Sequence, residues 1–447
     1  MAARIAIAGG GPSGLMMGRL LAEDGHHVDL FEAQKKIGGL CRSRKVEGYT
    51  YDLAGGHIMY TKDERVAALW EKLFADEPLE VHDRQTAILH DKDHFVSYPF
   101  ENALGELPLE ENLECTESTI EAWLERQRGA PQPDNFLDWM RWKMGSGVCR
   151  LFMEPYNRKV WKADLAEMGT SWIADRIPEA PIEDILRASL GETTEGYTHQ
   201  SVFRYPAQGG FGSIHEKISN SISDRIHTDH RVQQIEQANG GEGWVVDGES
   251  YDIVISTLPL HHLPAILQGM EKAPAEAAGS LQHRGLATML FGIEEDWVQP
   301  YSWLYLPRPE QGPANRVTYL SNYAHSNAPE GKGSILAEIT YADEIPDITE
   351  NGRREVARAL QNAGLLDADR LTITDAYTTP LAYILYDQGF EQRRQTVLDY
   401  LDGLTDFYAL GRFGRYEYHN SDQCLSQAMD LYEHLKAKLD NTGETLP

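Results

Sequence analysis

Residues 3–43 read ARIAIAGGGPSGLMMGRLLAEDGHHVDLFEAQKKIGGLCRS, and this stretch decides the fold. Arg4–Ala8 is a short apolar run and predicts a buried strand. Gly9-Gly10-Gly11-Pro12-Ser13-Gly14 supplies G-x-G-x-x-G directly behind it. Leu15, Met16, Leu20 and Leu21 then recur at helical spacing, and His27–Phe31 predicts a second strand, ended by Glu32. Strand, glycine turn, helix, strand, acid is the order that dinucleotide binding requires. Gly9 makes the tight turn, Gly11 lets the backbone approach a pyrophosphate, and Gly14 lets the helix pack on the strand. The helix N-terminus faces the negative charge. Glu32 stands where a carboxylate accepts both ribose hydroxyls. A lone G-x-G-x-x-G is a weak signal; with both strands, the helix and the acid in register it predicts an α/β chain built on a Rossmann-like dinucleotide-binding domain.

The rest of the chain bounds the answer. Its 447 residues suffice for two or three domains and a large core. Hydrophobic and charged shares of 41% and 25% are those of a soluble globular protein. No apolar run is long enough to span a membrane, and the N-terminal apolar stretch is broken at once by glycines, unlike a signal peptide. Cys41, Cys115, Cys149 and Cys424 are scattered, as free thiols in a reducing cytoplasm would be. A formal net charge of -28 argues against nucleic acid or an anionic membrane as partner. It also sets a condition: a diphosphate ligand would need arginines concentrated at one site against the global field.

Along the chain, Tyr51–Tyr60 carries Gly55-Gly56-His57, paired glycines before a histidine that let backbone approach a planar ligand. Thr86–Tyr98 reads as a strand or hairpin, and residues 104–193 as a mostly helical insertion. Arg231–Glu236 with Gly243–Val246 reads as a hairpin, and Asp252–Pro259 as a buried parallel strand. Residues 263–375 read as an antiparallel sheet with strands near Gly285–Ile293, Arg316–Ser321 and Ser334–Thr340. Leu401–Leu439 supplies a strand, Gly411-Arg412-Phe413-Gly414 and a closing helix. The expected division is a discontinuous FAD-binding domain (1–80, 197–262 and 401–447), a helical insertion (104–196) and an antiparallel-sheet substrate domain (81–103 and 263–400).

Gly38-Gly39-Leu40-Cys41-Arg42-Ser43, following Glu32 within one loop, resembles the flavoprotein group of amine oxidases, protoporphyrinogen oxidases and UDP-galactopyranose mutases, and this resemblance points to FAD. Within that group the chain resembles the UDP-galactopyranose mutases, more the eukaryotic type than the common bacterial one. The carrying segments, in order, are GGHIMY at Gly55, YPFEN at Tyr98, FMEPYNRKVW at Phe152, WIADRI at Trp172, RYPAQGGFGSI at Arg204, SWLYLP at Ser302, NRVTYLSNY at Asn315 and GRFGRYEY at Gly411. The resemblance implies an isomerase. A reduced flavin attacks the anomeric carbon of a nucleotide sugar through N5, the diphosphate leaves and returns, and ring size changes between pyranose and furanose without net redox. NADPH or NADH is the implied reductant.

Residue matching implies the following roles. Arg316 and Arg412 clamp the pyrophosphate and, with His57 of the flavin loop, form the catalytic set. Arg176 is a third arginine near the sugar. Tyr383 and Tyr418 bond the diphosphate, Trp303 and Tyr305 form the same wall, and Tyr98, Phe100, Glu101, Asn157 and Trp161 form the nucleoside pocket. The cofactor would be held by Gly9, Gly11, Pro12, Ser13, Gly14, Glu32, Gly39, Leu40, Gly55, Gly56, His57, Val232, Gly411, Asp422 and Gln423, with no metal. Two positions depart from the pattern. Glu101 stands where uridine-binding relatives carry glutamine; a carboxylate only accepts, which suits guanine or cytosine better than uracil. Gln423 replaces a histidine near the flavin. An oxidase or dehydrogenase of the amine oxidase and protoporphyrinogen oxidase group is the alternative, and a nucleotide-sugar binding protein without catalysis a third. The sugar, the base and any homo-oligomer stay open.

Overall fold

The computed structural model describes residues 2–173, 180–192, 194 and 201–442. The glycine-turn stretch folds as its periodicity predicts. Arg4–Ala8 lies in the middle of a five-stranded, wholly parallel sheet, between Ile253–Ser256 and His27–Phe31, with Phe407–Ala409 and Ile226–His227 at the edges. Ile5 and Ile7 are fully buried there, as a strand covered on both faces requires. The helix Pro12–Glu23 starts with proline at its first position, where no N–H is needed. It packs against the closing helix Ser421–Thr442, so the two ends of the chain meet at the glycine turn.

A second sheet has seven strands, in the order Ile373–Ile384, His283–Glu294, Lys332–Tyr341, Arg316–Thr318, Trp303–Tyr305, Thr86–Asp91 and His94–Ser97. Its neighbours are antiparallel except Trp303–Tyr305 with Thr86–Asp91. Register places Tyr305, Arg316, Glu338, Thr288 and Tyr377 directly opposite one another across five strands. Directly opposed residues share a face, so this row is one line of side chains. Two details differ from expectation. The Arg316 strand ends at Thr318, because Leu320–Asn322 tightens into a 3₁₀ turn. Ile373–Ile384 is a full twelve-residue strand. It lies at the sheet edge, where Pro380 needs no ladder partner, and its half-buried polar composition hides it from apolar pattern reading. The expected hairpin after Arg231 is a three-stranded meander, Ile235–Gln237, Trp244–Val246 and Glu249–Tyr251.

Helices fill the stretch predicted to be helical: Leu109–Gln127, Phe136–Met144, Ser146–Val148, Glu154–Trp161 and Ile182–Ser189. Cys149–Met153 is a π-helical turn that joins Ser146–Val148 to Glu154–Trp161. Pro155 sits at the start of that last segment and has no N–H to give the preceding turn; the widened turn takes up the mismatch. Lys159 anchors this helix to the second sheet, its ammonium donating to the carbonyls of Leu306 (2.8 Å) and Ala314 (2.9 Å). Among the described residues no helix is long and apolar enough to cross a membrane.

Candidate active site

The glycine turn forms a cradle. A Cβ at Gly14 would lie 2.0 Å from the Gly9 carbonyl oxygen, so only glycine lets the helix come this close. A Cβ at Gly11 would meet nothing within 4 Å, which leaves open space over the helix N-terminus. That terminus has no side-chain cap, so its N–H groups are available to an anion. A Cβ at Gly39 would lie 3.2 Å from the Gly11 Cα, and Gly38 N–H donates to the Gly10 carbonyl at 2.7 Å. Gly411 packs on Ser13, whose hydroxyl donates to the Cys424 carbonyl at 3.2 Å. Glu32 is almost fully buried and accepts from Gly10 N–H (3.0 Å) and Gln34 N–H (2.8 Å), one bond on each oxygen. Each oxygen keeps a lone pair for a hydroxyl.

The Gly55-Gly56-His57 loop is held between two carboxylates that are each 0% exposed, Asp52 and Glu338. Gly55 has φ +95°, and a Cβ there would lie 2.7 Å from the Glu338 carboxylate. Gly56 N–H donates to Glu338 Oε1 at 3.2 Å, and His57 N–H to Asp52 Oδ2 at 3.4 Å. The His57 ring stacks on Phe211 with centroids 5.1 Å apart. Burial, with the charges of Arg316, His215 and Arg412, pushes its imidazole down to about 3, so it is neutral. Its Nδ1 is buried without a hydrogen-bond partner among the described residues, as are both ring nitrogens of His215. Three orphaned nitrogens beside an open dinucleotide cradle fit a planar, polar-edged group such as the isoalloxazine of FAD.

Arg316 donates through Nε and Nη2 to both oxygens of Glu338, each at 2.8 Å, its direct cross-strand partner. Arg412 is held by carbonyls instead: Nη1 donates to His419 O (2.8 Å) and Nη2 to Ala382 O (3.3 Å), while its guanidinium lies 4.5 Å over the Tyr418 ring. Its Nε is buried and unpartnered among the described residues. An aromatic wall runs from these arginines. Trp161 contacts Tyr383 (6.3 Å) and Trp172 (5.1 Å), and Trp172 contacts Tyr418 (6.2 Å). Tyr305 meets Tyr156 and Tyr98, both at 5.1 Å, and Arg84 lies 5.8 Å over Tyr98. Burial raises the Tyr383, Tyr156 and Tyr305 phenols above their ordinary value, which keeps them hydrogen-bond donors.

The structure thus brings together His57, Arg316, Arg412, Trp161, Tyr305, Tyr383, Tyr418 and Tyr98. Trp303 shares a strand face with Tyr305 two residues on. Phe100 is 0% exposed and supports the wall from behind, stacked on Phe152 at 5.5 Å. Asn157 spends its amide internally, donating to Met153 O at 2.8 Å and accepting the Trp161 indole N–H at 3.0 Å. Glu101 is buried and lines a cavity of about 10 Å³ with Arg126 and Lys143. Val232 is buried in the core with Phe31 and Ile235. Gln423 accepts from Asn420 N–H at 2.9 Å in its own helix start, and burial raises the Asp422 carboxyl. Arg176 lies outside the described residues. Sequence reading passed over Asp52, Tyr156, Phe211 and Glu338. For Glu338 the available signal was a lone acid inside the apolar run Ile335–Ile339.

Comparisons with known proteins bear on the fold and the family. A crystal structure of reduced UDP-galactopyranose mutase superposes with a TM-score of 0.88 at 25% identity, covering 98% of this chain and 96% of that one. A protoporphyrinogen-oxidase-type protein from Exiguobacterium sp. 255-15 follows at a TM-score of 0.74 and 17% identity, covering 98% and 99%. A redesigned putrescine oxidase has a TM-score of 0.65 at 13% identity, covering 98% and 99%; these last two share the fold. An uncharacterized protein in the nifH2 3' region of Methanothermococcus thermolithotrophicus is 46% identical over 60 residues, 13% of this chain. The chain spans 58% of that relative's length. The model of the flavin containing amine oxidoreductases matches residues 12–367, most of the chain, and reaches from the glycine cradle past the Arg316–Glu338 pair. The chain therefore belongs to the flavin containing amine oxidoreductase family, whose cofactor its glycine cradle and orphaned histidines fit.

Proposed function

We propose that the chain is a flavin-dependent nucleotide-sugar mutase, an isomerase that interconverts pyranose and furanose forms of an NDP-sugar without net redox. One observation carries this reading. Two arginines from different elements converge with buried tyrosines on the histidine of the GGH loop, in a protein of net charge -28. That gathers guanidinium donors where a diphosphate would depart, Arg316 held by Glu338 and Arg412 held by carbonyls. When bound and reduced, the flavin supplies the nucleophile toward the anomeric carbon and keeps its electrons overall.

The chain's own residues do the rest. The Arg316 and Arg412 guanidiniums hold the diphosphate as it leaves and keep it in place for return. Tyr383 and Tyr418 donate to its oxygens, and Trp161, Trp172 and Tyr305 shield the opened sugar from water. The neutral His57 gives a hydrogen bond without adding charge. NADPH or NADH as reductant, nucleotide-sugar as partner and a cytoplasmic site of action belong to the same proposal; the four cysteines, all buried free thiols, suit a reducing compartment.

An oxidase of the amine or protoporphyrinogen type is the second reading, favoured by the family the chain belongs to. Stoichiometry separates them. With a nucleotide sugar, the mutase reading expects many turnovers for each flavin reduced and no consumption of electron acceptor. Acceptor consumed one-for-one with product would overturn it.

A further inference from the structure

Of the two buried carboxylates that hold the His57 loop, Glu338 is neutralised by Arg316, but Asp52 has no cationic partner among the described residues. It is instead a hub of four donors from three stretches of chain. The Ser43 hydroxyl donates at 2.6 Å, the Tyr205 hydroxyl at 3.1 Å, Phe211 N–H at 3.1 Å and His57 N–H at 3.4 Å. Ser43 follows the Gly39–Cys41 turn that packs on Gly11 of the cradle. Phe211 carries the ring on which His57 stacks. The backbone of His57 is therefore referenced to Asp52 directly, and its imidazole through Phe211.

We propose that Asp52 is a positioning residue, whose ionised carboxylate fixes the His57 backbone and the Phe211 turn against the glycine cradle and so sets how His57 meets the bound flavin. This rests on the reading of the GGH loop as the flavin-facing loop. Among the groups that face Asp52, neither backbone N–H can accept a hydrogen bond from a neutral carboxyl; only the Ser43 and Tyr205 hydroxyls can turn to do so. Protonation thus removes a donor's partner, and the longest bond, to His57, is the one released. The titratable neighbours are Tyr205, Tyr323, Cys41 and His57, none of them cationic. With no cation to oppose it, burial pushes the Asp52 carboxyl up to about 6, so the change falls within reach of experiment.

The test is the visible absorbance of the oxidised holoenzyme between about pH 5 and 8, a range set by where buried carboxyls titrate, for wild type, Asp52→Asn and Tyr205→Phe. The proposal expects a spectral transition near pH 6 in wild type. Asp52→Asn should lack it. Tyr205→Phe, which removes one donor to the carboxylate, should move it to higher pH. A wild type without a transition, or an Asp52→Asn protein that keeps it, overturns the proposal. If Asp52→Asn does not retain flavin, Tyr205→Phe decides, and an unshifted transition overturns it. No nucleotide sugar enters this readout, so a failure of the mutase reading would appear as absent isomerisation with these spectra unchanged.

Discussion

Arg316 stands inside a seven-stranded sheet and is locked by a carboxylate, whereas Arg412 stands in the loop after Phe407–Ala409 and is locked by carbonyls and an aromatic face. Both lie within electrostatic reach of His57. The difference lies in what each can offer a diphosphate. Glu338 has already compensated the Arg316 charge, so on the proposed reading Arg316 would supply a fixed donor direction at little net field. Among the described residues Arg412 has no carboxylate on it and keeps one buried N–H without a partner, so on the proposed reading it would supply most of the attraction. The same residue type is held in two different electrostatic states, and its partners decide which.

The comparison is broken most severely at Arg412. Arg412→Ala should lower kcat/KM by roughly 10³-fold, about 4 kcal/mol of transition-state stabilisation, the scale for removing a preorganised donor. Steady-state kinetics on the identified nucleotide sugar checks this, and Arg412→Lys should recover only part, since an ammonium lacks the planar fork. Equal losses from Arg316→Ala and Arg412→Ala would erase the distinction.

Glu338→Gln tests the other side. It leaves a buried guanidinium unpaired and should destabilise the fold by about 3 kcal/mol, read by denaturant unfolding of the holoenzyme. Because Glu338 also holds Gly56, KM for the nucleotide sugar should rise in the same variant.

A third prediction concerns acid. The folded pKa values of His57 and His215 are lowered to about 3 and about 4. The unfolded chain therefore binds more protons than the folded one between those values and the ordinary histidine range. Stability from each neutral histidine is present at pH 7 and is lost as pH falls below about 6.5, by about 2 kcal/mol per histidine near pH 5. Asp52 opposes this, because its raised carboxyl makes the folded state bind more protons between the ordinary carboxylate range and about 6. His215→Phe should flatten the acid slope of stability measured by thermal unfolding; an unchanged slope would contradict the burial of that ring. The smallest effect belongs to Gln423. Gln423→Ala removes a helix-start hydrogen bond and should cost about 1 kcal/mol of stability with little change in rate.

Local pattern carried the parallel sheet, the glycine cradle and the helical stretch, because period and turn chemistry are written in adjacent residues. The long edge strand escaped because it is half-polar and carries a proline. Arg316 and Arg412 were legible as arginines in motifs, but not their opposite electrostatic states. Glu338 lies opposite Arg316 only through strand register, and register is set by pairing across distant segments. Asp52 escaped for the same reason: its donors come from Ser43, His57, Tyr205 and Phe211, which the fold alone assembles. Glu101 is a motif residue whose burial beside Arg126 and Lys143 only the fold shows.

The measurement that bears most directly on the mutase claim uses purified holoenzyme reduced with dithionite under nitrogen. UDP-galactofuranose, UDP-arabinopyranose and GDP- and CDP-linked hexoses are offered in turn, and products are separated by chromatography. The account predicts that one of them isomerises and that isomerisation stops when the flavin is reoxidised. No isomer from any of them, with a flavin that instead cycles against oxygen and an amine or porphyrinogen, would contradict it.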